Sequence, residues 1–519
     1  MSQYSRTQYS IINIFTSFAG YGLNILLSFV CRMVFVRCLA EEYLGINGLF
    51  TNIISVLSLS ELGIGTAIVY ALYKPIAEGD KKKIASLMRF YAIAYKAVGI
   101  FVFIAGVACL PFLGIIVRDT PDIPENLQVI YLLYLFSTAS SYFFSYRSSI
   151  ITASQRNYVV LGISYAVVVI QNIVQIIVLL ATKNFMAYLI IQVVCTYVTN
   201  FLISMKAKKD YPYICEKNVE PLSKHERWML IKDIKALTVS KLSGILVNNT
   251  DNIVITYFNG LVTTGAASNY TLLSSTLSTL VNQVFGSMTA SIGNVNAVES
   301  NEKKFFYFKV INLMNFWLYG WGAIGIALVS SDIVALCFGN QYVLTAEIPL
   351  ILAINFYMLG MQNAVWTYKT TLGLFKYGQY ILLFTAALNI IGDIVLGSKF
   401  GLLGIFAATA ISRALTNCWY DPYAVFKYGL HRKPIQYLVI YLKYFIIICL
   451  AGGICAIICN YIAFSPAINV ICKFIICSLI PNMVFVVCLY KTKEFKYVAE
   501  TVKNLILNVR NKMLKSKNC

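Results

Sequence analysis

Apolar runs long enough to cross a bilayer recur along the whole chain, and short polar or charged breaks separate them. Hydropathy places spans near 11–39, 43–72, 89–117, 127–151, 159–181, 185–205, 241–259, 265–292, 307–330, 344–366, 379–396, 402–423, 436–460 and 468–490. The first runs unbroken from Ile11 to Leu39, too long for the apolar core of a signal peptide, and reads as a retained span. Within the second, Asn47, Thr51, Ser55, Ser58, Glu61 and Gly65 share one stripe at about 100° per residue, while Ile53, Leu57, Ile64 and Ile68 take the opposite face. A stripe of that kind lines a wet path.

The expected fold is an all-α polytopic membrane protein of about 14 transmembrane helices. The one sizeable inner connection, 206–240, carries Pro212, Pro221 and many charges, so it reads as a cytoplasmic linker between two six-helix lobes, 1–205 and 241–423. Two further helices (424–490) and a basic amphipathic tail (491–519) follow. An internal repeat supports two lobes. Shifted by 220 residues, Gly45, Thr51, Ser55, Leu57 and Ser58 fall on Gly265, Thr271, Ser275, Leu277 and Ser278. Repeated lobes around a mid-membrane site are a common transporter plan.

Composition agrees. The 519 residues are 59% hydrophobic and 12% charged, with mean hydropathy +0.71. The net charge of +20 is topological and does not call for nucleic acid. With both termini cytoplasmic, 33 of the 42 basic residues fall on inner segments, and only Arg37, Arg118, Lys183 and Lys399 on outer turns. The fourteen cysteines have no CxxC spacing, and His225 and His431 lie in basic loops, so no metal site is expected. No GxxxxGK[ST] loop or soluble catalytic domain is visible, which argues against an ATPase or a membrane enzyme.

Four embedded charges are candidates for function, because a charge at mid-membrane costs about 2.5–3.5 kcal/mol on insertion scales. They are Arg32, Glu61, Asp251 and Arg413, the last nominated by depth alone. Asp251 shares a face with Asn248 and Asn252, and could pair with Arg413 as structural glue. Lys96, Lys443 and Lys473 lie close enough to a surface to snorkel, and Asp393 is placed at the outer interface. Thr271, Ser275, Ser278 and Asn282 make the eighth span unusually polar, and Gln171, Asn172 and Gln175 lie near mid-depth in the fifth. Hydroxyls and carboxamides beside arginine suit a ligand with many hydroxyls and an anionic group.

The stretch "SFVCRMVFVRCLAEEYLGINGLFTNIISVLSLSELGIGTAIVYALYKPIAEGDKKKI" (28–84), with "NNTDNIVI" further on, resembles bacterial polysaccharide (O-antigen or capsule) repeat-unit flippases. These belong to the superfamily that also contains multidrug and toxin extruders and the lipid II flippase. The resemblance implies alternating access between two lobes and transfer of an undecaprenyl-pyrophosphate-linked oligosaccharide to the outer leaflet of the cytoplasmic membrane. Partners would be that polyprenyl-linked glycan, membrane lipids, and a polysaccharide polymerase with its assembly proteins. No cofactor is implied beyond coupling to an H⁺ or Na⁺ gradient. Arg32 would contact pyrophosphate or sugar, Glu61 would be an acidic, proton-linked group, and Asp251 and Asn252 would line the second lobe. A multidrug or cation exporter, a membrane polymerase and a non-transporting scaffold stand as the alternatives.

Overall fold

The computed structural model describes residues 6–58, 64–117, 121–216, 219–232, 250–374, 377–378, 380–462 and 464–501, with 234, 235, 238 and 503. The described elements are helices α1 (Arg6–Cys38), α2 (Glu41–Leu57), α3 (Ile64–Glu78), α4 (Lys81–Cys109), α5 (Leu113–Ile116), α6 (Leu127–Ser145), α7 (Ser148–Ala153), α8 (Asn157–Thr182) and α9 (Phe185–Asp210). They continue as α10 (Asp251–Val298), α11 (Asn301–Phe338), α12 (Glu347–Thr371), α13 (Ile381–Leu415), α14 (Asn417–Ala424), α15 (Ile435–Asn460) and α16 (Pro466–Leu489). No strand occurs among the described residues. Helices suit such a sequence because they satisfy every backbone donor and acceptor within one segment, which hydrocarbon cannot do.

Ten described segments are long and apolar enough to cross a membrane. The difference from fourteen has local causes. The second expected span is divided between α2 and α3, whose ends flank residues outside the described set. Nearly half of the seventh, 241–249, also lies outside it, and the eighth is too polar to count. The eleventh and twelfth run together as one 49-residue segment, Ile381–Gly429.

Two of the expected outer turns are reduced to a single glycine. α10 breaks at Gly260 (φ 82°, ψ 172°) and α13 at Gly401 (φ 57°, ψ −137°), backbone conformations that a residue with a Cβ resists. Across the first turn the Thr256 and Thr264 hydroxyls meet at 2.9 Å. Other ends are capped by side chains: Asp80 accepts from the Lys83 amide, Asn126 from Gln128 and Asn184 from Ala187.

The chain divides into two compact units, Met1–Ser268 and Asn269–Cys519. In the first, α1 packs on α8, and α4, α6 and α9 pack together. The segment 251–268 belongs here because it lies on α2, where Gly45 and Gly48 leave room for Leu261, Thr264 and Ser268. In the second, α11 is central and packs on α12, α15 and α16, with Phe316 stacked on Tyr444 at 4.3 Å. Residues 493–501, the start of the expected tail, are helical. Phe495 stacks on Trp317 of α11 at 5.8 Å, and Glu494 pairs with Lys309. Burial works to raise the Glu494 pKa, but the Lys309 ammonium outweighs it and holds the carboxyl below its usual range.

Candidate functional site

The first unit contains a cavity of about 460 Å³ between α2, α6 and α9. Among the described residues that line it, eleven of fourteen carry a hydroxyl or carboxamide, and none is ionised. α2 supplies Thr51, Ser55 and Ser58, three members of the stripe read from the sequence. Asn47 holds the neighbouring position, its Oδ1 accepting from the Tyr134 hydroxyl at 2.7 Å. α6 contributes Ser137, Thr138, Ser141 and Ser145, and α9 contributes Gln192 and Thr196. The Ser145 hydroxyl is buried with no hydrogen-bond partner.

These α6 and α9 residues were not picked out from the sequence. The signal was present: Tyr134, Thr138, Ser141 and Ser145 recur at spacings of four, three and four along α6. Short hydroxyls also glue membrane helices together, so the pattern reads equally as packing until the facing helices are known.

Arg32 lies on α1, and its Nη2 donates to Ser268 Oγ at 2.5 Å. Asp251 and Asn252 open the helical segment that leads to Ser268, and the Asn252 carbonyl accepts from the Thr256 hydroxyl at 2.7 Å. The structure therefore gathers Arg32, Asn47, Thr51, Ser58, Asp251 and Asn252 into one unit. Glu61 and Asn248 lie outside the described residues.

Thr271, Ser275, Asn282 and Arg413 belong to the second unit. Ser275 and Asn282 are exposed, and Thr271 is half-buried. Asn282 Oδ1 accepts from the Tyr319 hydroxyl at 2.8 Å and from Asn363 Nδ2 at 2.6 Å, so α10, α11 and α12 share one polar junction. Arg413 is buried, at 5% exposure.

Two acids of this unit are buried, one of them placed elsewhere by the sequence and one not picked out from it. Asp393, expected at the outer interface, is 0% exposed. Its helix continues past residue 396 to Gly401, which moves the carboxylate deeper than a count to 396 gives. Asn389 Nδ2 donates to Asp393 Oδ1 at 3.1 Å and to Thr409 Oγ1 at 3.2 Å. The Asn389 amide nitrogen thus bridges the buried carboxylate and the Thr409 hydroxyl. Asp421, 1% exposed, accepts from Lys369 Nζ at 2.6 Å and from Trp366 Nε1 at 3.2 Å. Lys473, expected to snorkel, instead pairs with Asp332 at 2.7 Å. Among the described residues no three His, Cys, Asp or Glu side chains are placed to hold a metal ion.

No family model and no curated protein matches the sequence. Solved structures do match. The lipid II flippase MurJ in an inward closed conformation superimposes with a TM-score of 0.61 at 14% identity, over 93% of this chain and 98% of that one. An inward-facing multidrug resistance MATE family transporter of the MOP superfamily gives 0.55 at 14% identity, over 76% and 91%. The Vibrio cholerae MATE transporter VcmN, as a mutant, gives 0.52 at 14% identity, over 82% and 99%. The fold is the one these transporters share. The chain is thus a multi-pass, all-α membrane protein of the MurJ and MATE architecture, as its opening stretch led us to expect.

Proposed function

We propose that this protein is a flippase. In this reading it carries polyprenyl-pyrophosphate-linked oligosaccharide repeat units from the inner to the outer leaflet of a bacterial cytoplasmic membrane, by alternating access, with both termini cytoplasmic. The observation that carries the reading is the uncharged, hydroxyl-lined cavity of the first unit. Hydroxyls and carboxamides donate and accept, as sugar recognition requires. Arg32, in the same unit, offers the planar donor fork that fits pyrophosphate oxygens. Asp393 with Asn389 and Thr409 is where an H⁺ or Na⁺ gradient would couple. A polymerase and assembly proteins at the outer face are the partners this activity needs.

A deletion strain tests it. Loss of surface polysaccharide with accumulation of complete lipid-linked repeat units, reversed by the intact gene, is the expected result. Unchanged polysaccharide together with altered drug sensitivity would transfer the protein to the exporters.

A further inference from the structure

The inner connection has one side fixed to the protein and one side bare. Residues 224–232 form a helix. Its fixed side is held by Glu226, which pairs with Lys83 in the first turn of α4 and accepts from the Ser223 amide and hydroxyl. Arg227 Nε donates to the Leu222 carbonyl at 2.8 Å. Just upstream, Ser86 Oγ donates to the Glu220 carbonyl at 2.7 Å, and Arg89 Nη1 to that of Val219 at 3.2 Å. At about 100° per residue, the other side gathers Lys224, Trp228, Ile231 and Lys232, with Lys235 a turn further on. Trp228 is 58% exposed and Ile231 55%, and Lys232 Nζ sits 5.2 Å from the centre of the Trp228 ring.

Depth and charge together identify what covers this face. The contacts to Lys83, Ser86 and Arg89 set the helix beside the first turns of α4, where a 36-residue membrane-crossing segment begins at Lys81. In the orientation proposed above, those contacts lie at the headgroup end of the segment. Tryptophan concentrates there, its apolar ring in the interface, while lysine stems lie along the surface and keep their ammonium groups in water. Basic amphipathic helices of this composition bind anionic bilayers.

We propose that the 224–235 face is an anchor for anionic glycerophospholipid of the inner leaflet. Trp228 and Ile231 enter the interface, and Lys224, Lys232 and Lys235 bind lipid phosphates. The inner placement rests on the orientation proposed above, whereas the test does not, because nanodiscs expose both leaflets alike.

The full chain is reconstituted in nanodiscs of phosphatidylcholine, with or without phosphatidylglycerol, using acyl chains brominated near the headgroup. Bromine quenches wild-type tryptophan more than it quenches the W228F variant, and phosphatidylglycerol enlarges that difference. The variant K224Q/K232Q/K235Q loses the enlargement while keeping the wild-type melting temperature. Equal quenching of wild type and W228F overturns the proposal. So does a difference that is the same in both lipids. If aqueous iodide reaches Trp228 equally in every bilayer, the face belongs to a protein partner instead.

Discussion

Gly265 packs against Gly45: a Cβ built on Gly265 would lie 3.1 Å from the Gly45 amide nitrogen. These two glycines are also equivalent positions in the 220-residue repeat. A Cβ on Gly45 would collide with the Leu261 carbonyl, which is backbone and cannot rotate away. Small residues that let membrane helices approach backbone to backbone are a recognised basis of their association. The repeat thus marks a packing position, where α2 receives the turn after Asp251, and adjacent to it Ser268 meets Arg32.

Gly45→Leu is therefore expected to cost at least the ~1–3 kcal/mol typical of overpacking. Melting temperature in detergent should fall, while Gly453→Ala, with nothing within 4 Å of its Cβ position, should leave it unchanged. Equal melting temperatures would show that the Gly45 contact does not hold the unit together.

Asp421→Ala strands Lys369, whose side chain is 15% exposed, and removes the acceptor of Trp366. Breaking one side of a buried pair costs about 3–5 kcal/mol, whereas replacing both with apolar residues of similar volume is far milder. The double variant Lys369→Met/Asp421→Leu should then melt above Asp421→Ala. If it melts lower still, the pair has a role beyond packing.

The Lys83 ammonium, then the Ser223 amide, hold the Glu226 carboxyl below its usual range. A depressed acid stabilises its contact above the unfolded pKa, about 4.3 for Glu, and the contact is lost as pH falls through the lower folded value. Amide exchange over 219–227 should be flat from neutral pH to about pH 5, once corrected for intrinsic rates, and accelerate below pH 4. In Glu226→Gln that acid step should vanish. A step that persists there would assign it to another group.

Much of this was legible beforehand. The 3.6-residue stripe of α2 put Thr51, Ser55 and Ser58 on one face, and these three line one cavity, since periodicity reports a face without needing its neighbours. The facing walls on α6 and α9 depend on which helices meet, which spacing along one helix does not encode. Asp393 was misplaced because the eleventh span continues through residue 396, and a glycine break at 401 looks like an earlier helix end in hydropathy. Lys369 and Asp421 were not singled out from the sequence. They pair because α12 and α14 pack together there.

Narrowing the cavity should slow transport without unfolding the protein. Ser141→Leu and Thr138→Leu place apolar bulk on the α6 wall in exchange for a hydroxyl. A fall of about tenfold in translocation, equivalent to ~1.4 kcal/mol, is expected with protein level and melting temperature preserved. Wild-type transport in both variants would move the substrate path elsewhere.

The most direct test of the flippase reading is movement itself. Purified protein is reconstituted in vesicles with a polyprenyl-pyrophosphate-linked oligosaccharide, and a membrane-impermeant lectin reports how much glycan reaches the opposite leaflet. The account predicts protein-dependent transfer, abolished in Arg32→Ala and partly retained in Arg32→Lys, which keeps the charge but loses the fork. Transfer at the protein-free rate, or undiminished transfer by Arg32→Ala, would contradict it.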